Sequence, residues 1–117
     1  MWEETGGGAR THRPLSIDTV GEAGSVAVSL GTGPRVFVTG TVSLDAGRMP
    51  EILALRHGEE TARAIVMHEL GHLAGLAHVD DRNQLMYPET SGQLTDFAAG
   101  DLTGLAALGR GACVPEL

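Results

Sequence analysis

Short apolar runs separated by glycine occupy the first part of the chain, up to about residue 45. Apolar positions alternate with small or polar ones, as in Val26, Val28 and Leu30, and β-branched residues are frequent. This alternation is typical of strands that bury one face, and the glycines between the runs, among them Gly21, Gly24 and Gly40, are typical of turns. The pattern predicts four short strands: Leu15–Val20, Ser25–Leu30, Val36–Val38 and Thr41–Asp45.

The second part of the chain has a helical pattern. Good helix formers without proline run from residue 59 to 75, beginning with two glutamates that a helix dipole favours at that end. Phe97–Leu108, with leucines three residues apart and Gly109 after them, predicts a second helix. Residues 51–56 fit either one helical turn or a loop, and residues 79–94 are predicted as a loop. The expected fold class is α+β, with a small mixed twisted sheet followed by helices.

Length, composition and charge limit the class of protein. The chain has 117 residues, 42% of them hydrophobic and 20% charged, which predicts one globular domain. A net charge of −7 leaves no basic surface for nucleic acid, and no apolar run approaches the ~20 residues of a membrane span. We therefore expect neither nucleic acid nor membrane as a partner. The segment Met1–Glu4 is acidic and lacks the pattern of a signal peptide.

The glycine and aromatic content predicts a weak hydrophobic core. Seventeen residues are glycine, whereas the chain has one tryptophan, one tyrosine and two phenylalanines. A disulfide framework is impossible with the single Cys113. We expect something other than side-chain packing to contribute to the stability of the domain.

Three histidines and a glutamate have an informative spacing in the predicted helix. His68 and His72 lie one turn apart and ~40° apart on one face, so both imidazoles can reach one metal ion. Glu69 lies ~100° round from His68, beside the metal, where a base acting on metal-bound water belongs. The opposite arc is apolar and is expected to face the core; it contains Val66, Met67, Leu70, Leu73 and Ala74.

His78 can reach the same ion only if the helix ends before it. On a continuing helix it would lie about 240° round and ~9 Å beyond His72. Gly75 stands where a left-handed residue would turn the chain back without steric cost. Three histidines leave a coordination position open to water, which is the pattern of a catalytic zinc site.

The complete motif resembles that of a known family. The spacing H-E-x-x-H-x-x-G-x-x-H is the metzincin zinc-peptidase signature, and this family also has a downstream Met-turn. Leu85-Met86-Tyr87-Pro88 resembles the Met-turn of the matrixin branch, with Met86 eight residues after His78. The resemblance in these motifs covers residues 59–88, and Asp101–Gly109 resembles the closing matrixin helix more loosely.

The resemblance implies a role for each motif residue. The three zinc ligands would be His68, His72 and His78, the catalytic base Glu69, and the apolar floor beneath the metal Met86. Pro88–Thr90 would form part of the wall of the specificity pocket. The implied fold is a metzincin-like zincin domain over residues 1–117 that lacks part of the amino-terminal helix and the first strand.

The implied function is that of a zinc-dependent endopeptidase. It would hydrolyse peptide bonds through a zinc-bound water activated by Glu69, with one catalytic Zn²⁺. The expected partner is a protein or peptide substrate in extended conformation, paired with an edge strand such as Ser25–Leu30 or Val36–Val38. By the same resemblance, we expect a secreted protein and a monomer.

The chain departs from the matrixin pattern at two positions. Val79 stands where matrixins usually have serine, and Thr90 replaces the tyrosine of the pocket wall. Thr90 and the expected lack of amino-terminal elements leave a second function open, that of a zinc-stabilised binding module with a degenerate, non-cleaving site. A third function, a hydrolase of non-peptide substrates at the same zinc site, also stays open. The remaining histidines, His12 and His57, are expected to be surface or loop residues and not a second, structural zinc site.

Overall fold

The computed structural model describes residues 3–5, 9–11, 15–29, 31–33, 35–90, 92–111 and 113. Its strands are β1 (Glu3–Thr5), β2 (Ala9–Thr11), β3 (Leu15–Ser16), β4 (Gly21–Ser29), β5 (Arg35–Leu44) and β6 (Glu89–Thr90). Its helices are α1 (Met49–Leu53), α2 (Gly58–Ala74) and α3 (Ala99–Leu108). Within these ranges, no helix has both the length and the apolar character that crossing a membrane requires. His12 lies outside the described residues.

Strands pair in three antiparallel couples: β1 with β2, β3 with β6, and β4 with β5. The α+β class is confirmed. The prediction of a mixed sheet is wrong for the described strands, because all three couples are antiparallel. In the longest couple, β4 and β5 are joined by a short turn, whereas a parallel pair needs a long crossover connection. β6 lies in the predicted loop 79–94; two residues are too few to show a periodic pattern.

β4 and β5 form a long hairpin that packs against α2. Its antiparallel register is interrupted by a bulge between Val26 and Ala27. Residues 25–29 of the predicted strand Ser25–Leu30 form the second half of β4, which begins at Gly21 and continues through Gly24. Sequence reasoning placed turns at both of these glycines, and the structure has none there. Leu30 lies outside the described residues.

Gly40 joins two predicted strands instead of separating them. Val36–Val38 and Thr41–Asp45 were expected as separate strands, and the structure has the single strand β5 through both. A Cβ on Gly40 would lie 2.2 Å from Cδ1 of Leu73. The glycine therefore allows β5 to approach α2 closely, which is a common reason for glycine inside a strand.

The predicted strand Leu15–Val20 is wrong beyond its first two residues. Ile17–Thr19 form a 3₁₀ turn, in which the Val20 N–H donates to the Ile17 carbonyl at 2.9 Å. Ile17 and Val20 are both buried although they are three residues apart. A strand, with its period of two, would place them on opposite faces.

The hydrophobic core is small, as the composition predicts. Its central cluster contains Ile17, Val20, Ile52 and Ile65, with Met49 and Ala62 packed against it. Of the two options for residues 51–56, the helical one is correct in part, since α1 covers Met49–Leu53. α1 contacts the beginning of α2, where a Cβ on Gly58 would lie 2.3 Å from the Ile52 carbonyl oxygen.

α2 begins and ends within one residue of its predicted bounds, but it buries a different face. The side chains of His68 and Glu69 are completely buried, whereas Leu70 is 42% exposed and Ala74 is exposed. The prediction that the apolar arc faces the core is therefore wrong for these two residues. α1, β4 and the loop after α2 all pack on the side of the histidines, so this side is the interior one.

α3 begins two residues later than predicted. The side chain of Asp101 accepts a hydrogen bond from the Ala98 N–H at 2.8 Å, which is half of a capping box. Ala98 is therefore the extended residue before the helix. The helix ends at Leu108 as expected, although Gly109 has φ −73° and is not left-handed.

Candidate metal centre

The rings of His68, His72 and His78 face a common centre. Ring centroids are 4.7 Å apart for His68–His72 and His72–His78, and 5.2 Å apart for His68–His78. One nitrogen of each ring lies within 4.8 Å of the corresponding nitrogens of the other two. Two nitrogens bound to one tetrahedral zinc are about 3.4 Å apart, so small ring rotations are sufficient to bring all three onto one ion.

The backbone reversal at Gly75 brings His78 to the two helical histidines. Gly75 has φ 117° and ψ 3°, and it ends α2 in the left-handed region. Its N–H donates to the His72 carbonyl at 3.0 Å, and the next N–H donates to the Gly71 carbonyl at 2.9 Å. These two hydrogen bonds form a Schellman motif. The turn predicted from the position of Gly75 is confirmed.

Backbone carbonyls orient two of the three rings. Nδ1 of His68 donates to the Leu85 carbonyl at 2.8 Å, and Nδ1 of His72 donates to the Leu76 carbonyl at 2.8 Å. With its proton on Nδ1, each ring presents the lone pair of Nε2 to a metal. Sequence reasoning missed both carbonyls, because a backbone acceptor can belong to any residue type.

Exposure increases steadily across the three histidines. His68 is buried, His72 half-buried and His78 exposed. The cluster is thus anchored in the interior on one side and accessible to solvent on the other. Three imidazole nitrogens with one accessible side suit zinc, which binds histidine readily and keeps an open position in catalytic sites.

Glu69, a residue of α2, contacts Gly21, the first residue of β4. Its side chain is completely buried. A Cβ on Gly21 would lie 3.3 Å from Cγ of Glu69, so glycine at this position provides room for the glutamate. The predicted turn at Gly21 is therefore replaced by a close contact between strand and helix. Packing of β4 on α2 fixes where the carboxylate lies.

Met86 packs against α2 between the two helical histidines. Its side chain is completely buried, and a Cβ on Gly71 would lie 2.5 Å from its sulfur. The Met86 carbonyl accepts a hydrogen bond from the Val79 N–H at 3.2 Å. The methionine is therefore fixed against the turn of α2 that precedes His72, and its backbone is tied to the residue after His78.

Thr90, at the position of the expected pocket-wall tyrosine, lines a pocket that includes none of the three histidines, and its part in substrate specificity stays a prediction. The pocket lies beside Leu85 and is also bounded by Glu89 and Leu94. The Thr90 hydroxyl accepts from the Gly92 N–H at 3.1 Å. His57, as expected, is an exposed residue at the start of α2, where it adopts φ 58°.

Comparison with protein families supports the resemblance read from the motif. Residues 11–108, more than four fifths of the chain, match the family model described as Matrixin, a peptidase family. The matched range includes all three histidines and ends with the last residue of α3. Comparisons with curated proteins and with solved structures found no significant match.

Proposed function

The chain belongs to the matrixin family, and on this premise we propose that it is a zinc-dependent endopeptidase. The observation that carries the proposal is the convergence of His68, His72 and His78 on one centre. Two of these rings have their Nδ1 occupied by carbonyls, so the remaining nitrogens form a donor set suited to zinc.

Each residue has a distinct part in this proposal. The three histidines hold the metal, and zinc, when bound, acts as a Lewis acid that also lowers the pKa of water to about 7. Glu69 accepts the proton of the water that attacks the scissile carbonyl, and it then delivers this proton to the departing amine. Met86 would support the donor set through its contact with α2 at Gly71.

The proposed substrate is an extended peptide that lies along the open edge of β4. One contact favours β4 over β5, since Gly21 of β4 adjoins Glu69. Both strands reach Leu73, next to His72: β4 through the hydroxyl of Ser25 and β5 through Gly40. A peptide paired with this strand would use backbone hydrogen bonds for affinity and would lie near the proposed base. Proline at a β4 position whose N–H faces this edge removes one of these hydrogen bonds and should therefore raise KM more than it lowers kcat.

We also propose, from the family alone, that the protein acts outside the cell as a monomer. Fractionation of the producing cells tests the first statement, and light scattering of the purified protein tests the second.

The deciding experiment is the Glu69→Gln substitution. The variant should keep one zinc per chain, because the histidines are unchanged. Its kcat/KM on a quenched fluorescent peptide should fall by at least about 10³-fold, because general acid–base catalysis is lost. Glu60→Gln, an exposed position in the first turn of the same helix, is the matched control and should retain full activity.

The possible results separate the candidate functions. Near-normal turnover by Glu69→Gln would refute the assignment of the base. Stoichiometric zinc in the unsubstituted protein without any peptide hydrolysis would instead indicate a binding module. Hydrolysis of a non-peptide substrate alone, identified by product analysis, would indicate the third function.

A further inference from the structure

The loop before Met86 and the start of α3 exchange hydrogen bonds in both directions. The Asp101 carboxylate, in the first turn of α3, accepts from the N–H groups of Leu85 at 2.6 Å and Met86 at 3.2 Å. In return, Oε1 of Gln84 accepts from the N–H groups of Gly100 at 2.7 Å and Asp101 at 3.1 Å. We call the two side chains, Gln84 and Asp101, the clasp.

Burial makes the Asp101 half of the clasp strong. Its side chain is only 3% exposed, and with the Ala98 N–H it accepts three backbone hydrogen bonds. Hydrogen bonds to an ionised acceptor are shorter and stronger than neutral ones, and a buried carboxylate is tolerated only when it is well hydrogen-bonded. Asp101 is therefore unlike an exposed helix cap, which could be lost at small cost.

The two residues whose N–H groups donate to Asp101 also accept hydrogen bonds, through their carbonyls, from the region of the metal-site histidines. The Leu85 carbonyl accepts from Nδ1 of His68, and the Met86 carbonyl accepts from the N–H of Val79, the residue after His78. The Asp101 carboxylate thus binds the N–H groups of Leu85 and Met86, and the carbonyls of the same two residues orient His68 and hold the chain beside His78.

We propose that Gln84 and Asp101 are positioning residues, through which α3 sets the geometry of the histidine cluster. Gln84 attaches the start of the segment Leu85–Met86 to the first turn of α3, and Asp101 fixes the orientation of this segment. The Leu85 and Met86 carbonyls then hold His68 and the residue after His78 in place. Neither residue is a metal ligand in this assignment, and Gln84 also lines the pocket beside Thr90. The inference rests on the proposed ligand set, and it adds that the ligand set depends on α3, whose Asp101 lies 16 residues after Leu85.

Metal affinity and metal geometry test the clasp in the full chain. Asp101→Asn replaces a carboxylate by an amide whose NH₂ group would face backbone donors, and Gln84→Ala removes two acceptor contacts from a half-buried position. Zn²⁺ dissociation constants are measured by competition with a chromophoric chelator, and visible absorption is recorded on the Co²⁺-loaded proteins. The matched control is Asp96→Asn, since Asp96 is exposed and pairs with Arg63 on the surface.

We expect Asp101→Asn to weaken zinc binding about 10- to 100-fold, as loss of an outer-shell partner typically does, and to shift the Co²⁺ bands. Gln84→Ala should shift the same bands with a smaller loss of affinity, and Asp96→Asn should do neither. Unchanged affinity and spectra in both clasp variants would overturn the proposal while leaving the proposed function intact. Absence of zinc binding in the unsubstituted protein would remove both. If Asp101→Asn does not fold, Gln84→Ala decides by the same two measurements.

Discussion

The hairpin β4–β5 and the region around the histidines distribute polar and apolar groups in opposite ways. In the hairpin, large apolar side chains stay in solvent: Val26 is 53%, Phe37 56% and Val38 45% exposed. Around the histidines, ionisable side chains are withdrawn from solvent instead, with His68 and Glu69 at 0% exposure and Asp101 at 3%.

This difference shows that the two regions are held in place by different kinds of contact. The hairpin is held by its backbone ladder and by its contacts with α2. Around the histidines, backbone donors and acceptors are matched by named side chains, since buried polar groups cost free energy unless they are bound. Polar contacts therefore organise the histidine region beside a small hydrophobic core.

The largest effect is expected where the two regions meet. Gly40→Ala should destabilise the protein by about 3 kcal/mol, because its Cβ would overlap the Leu73 side chain and lie 2.8 Å from the Gly24 carbonyl oxygen. Gly24→Ala, on the neighbouring strand, meets nothing within 4 Å and should be neutral or slightly stabilising. Denaturant unfolding of both variants measures the difference. Equal stabilities would mean that the hairpin does not dock on α2 as described.

Metal removal should affect the two regions unequally. Zinc at a hundredfold excess over its Kd stabilises the folded state by about 2.7 kcal/mol, so a chelator should lower the Tm by about 10 °C. Hydrogen exchange should accelerate around the histidines and change little in the hairpin. An unchanged melting curve after verified loss of zinc would contradict the idea that metal supplements the weak core.

Two glycines with positive φ, one in each region, allow the histidine region and the hairpin to be compared by the same substitution. Gly75→Ala should cost about 2 kcal/mol, because φ 117° strains any other residue and the new Cβ would press on Phe37 and Leu108 at 3.2–3.3 Å. Gly31→Ala in the hairpin turn should cost only ~1 kcal/mol, since φ is 60° and nothing lies within 4 Å.

The two glycine variants should also differ in their response to zinc. Only Gly75→Ala displaces the chain that brings His78 to the cluster, so only this variant should lose part of the zinc-dependent gain in Tm. Equal zinc dependence in both variants would show that the turn at Gly75 does not position the third histidine.

Local features of the histidine region could be predicted from the sequence. The spacing of His68 and His72 follows from the geometry of a helix, and the reversal at Gly75 follows from the requirement that His78 return to them. Both depend on residues close in the chain. The functional assignments of these residues and of Glu69 stay predictions until the metal and the activity are measured.

Other features depend on contacts between distant segments, which a local pattern does not contain. Gly21 and Gly40 have the same sequence signal as turn glycines, yet each is a point of close approach to α2. The burial of α2 on its histidine side depends on what packs there and not on its own apolar arc. Asp101 was noticed only as part of a loosely matching helix, because its partners are backbone N–H groups.

The reversal at Gly75 also has a consequence for how the protein folds. Because the chain turns back there, the three histidines can meet although all of them lie within eleven consecutive residues, 68 to 78. Closing so short a segment costs little chain entropy, whereas docking of Ser25 onto Leu73 joins residues 48 apart. By contact order, the imidazoles can assemble early and the hairpin docks late. In a stopped-flow experiment, zinc should then accelerate refolding, whereas Gly40→Ala should chiefly accelerate unfolding.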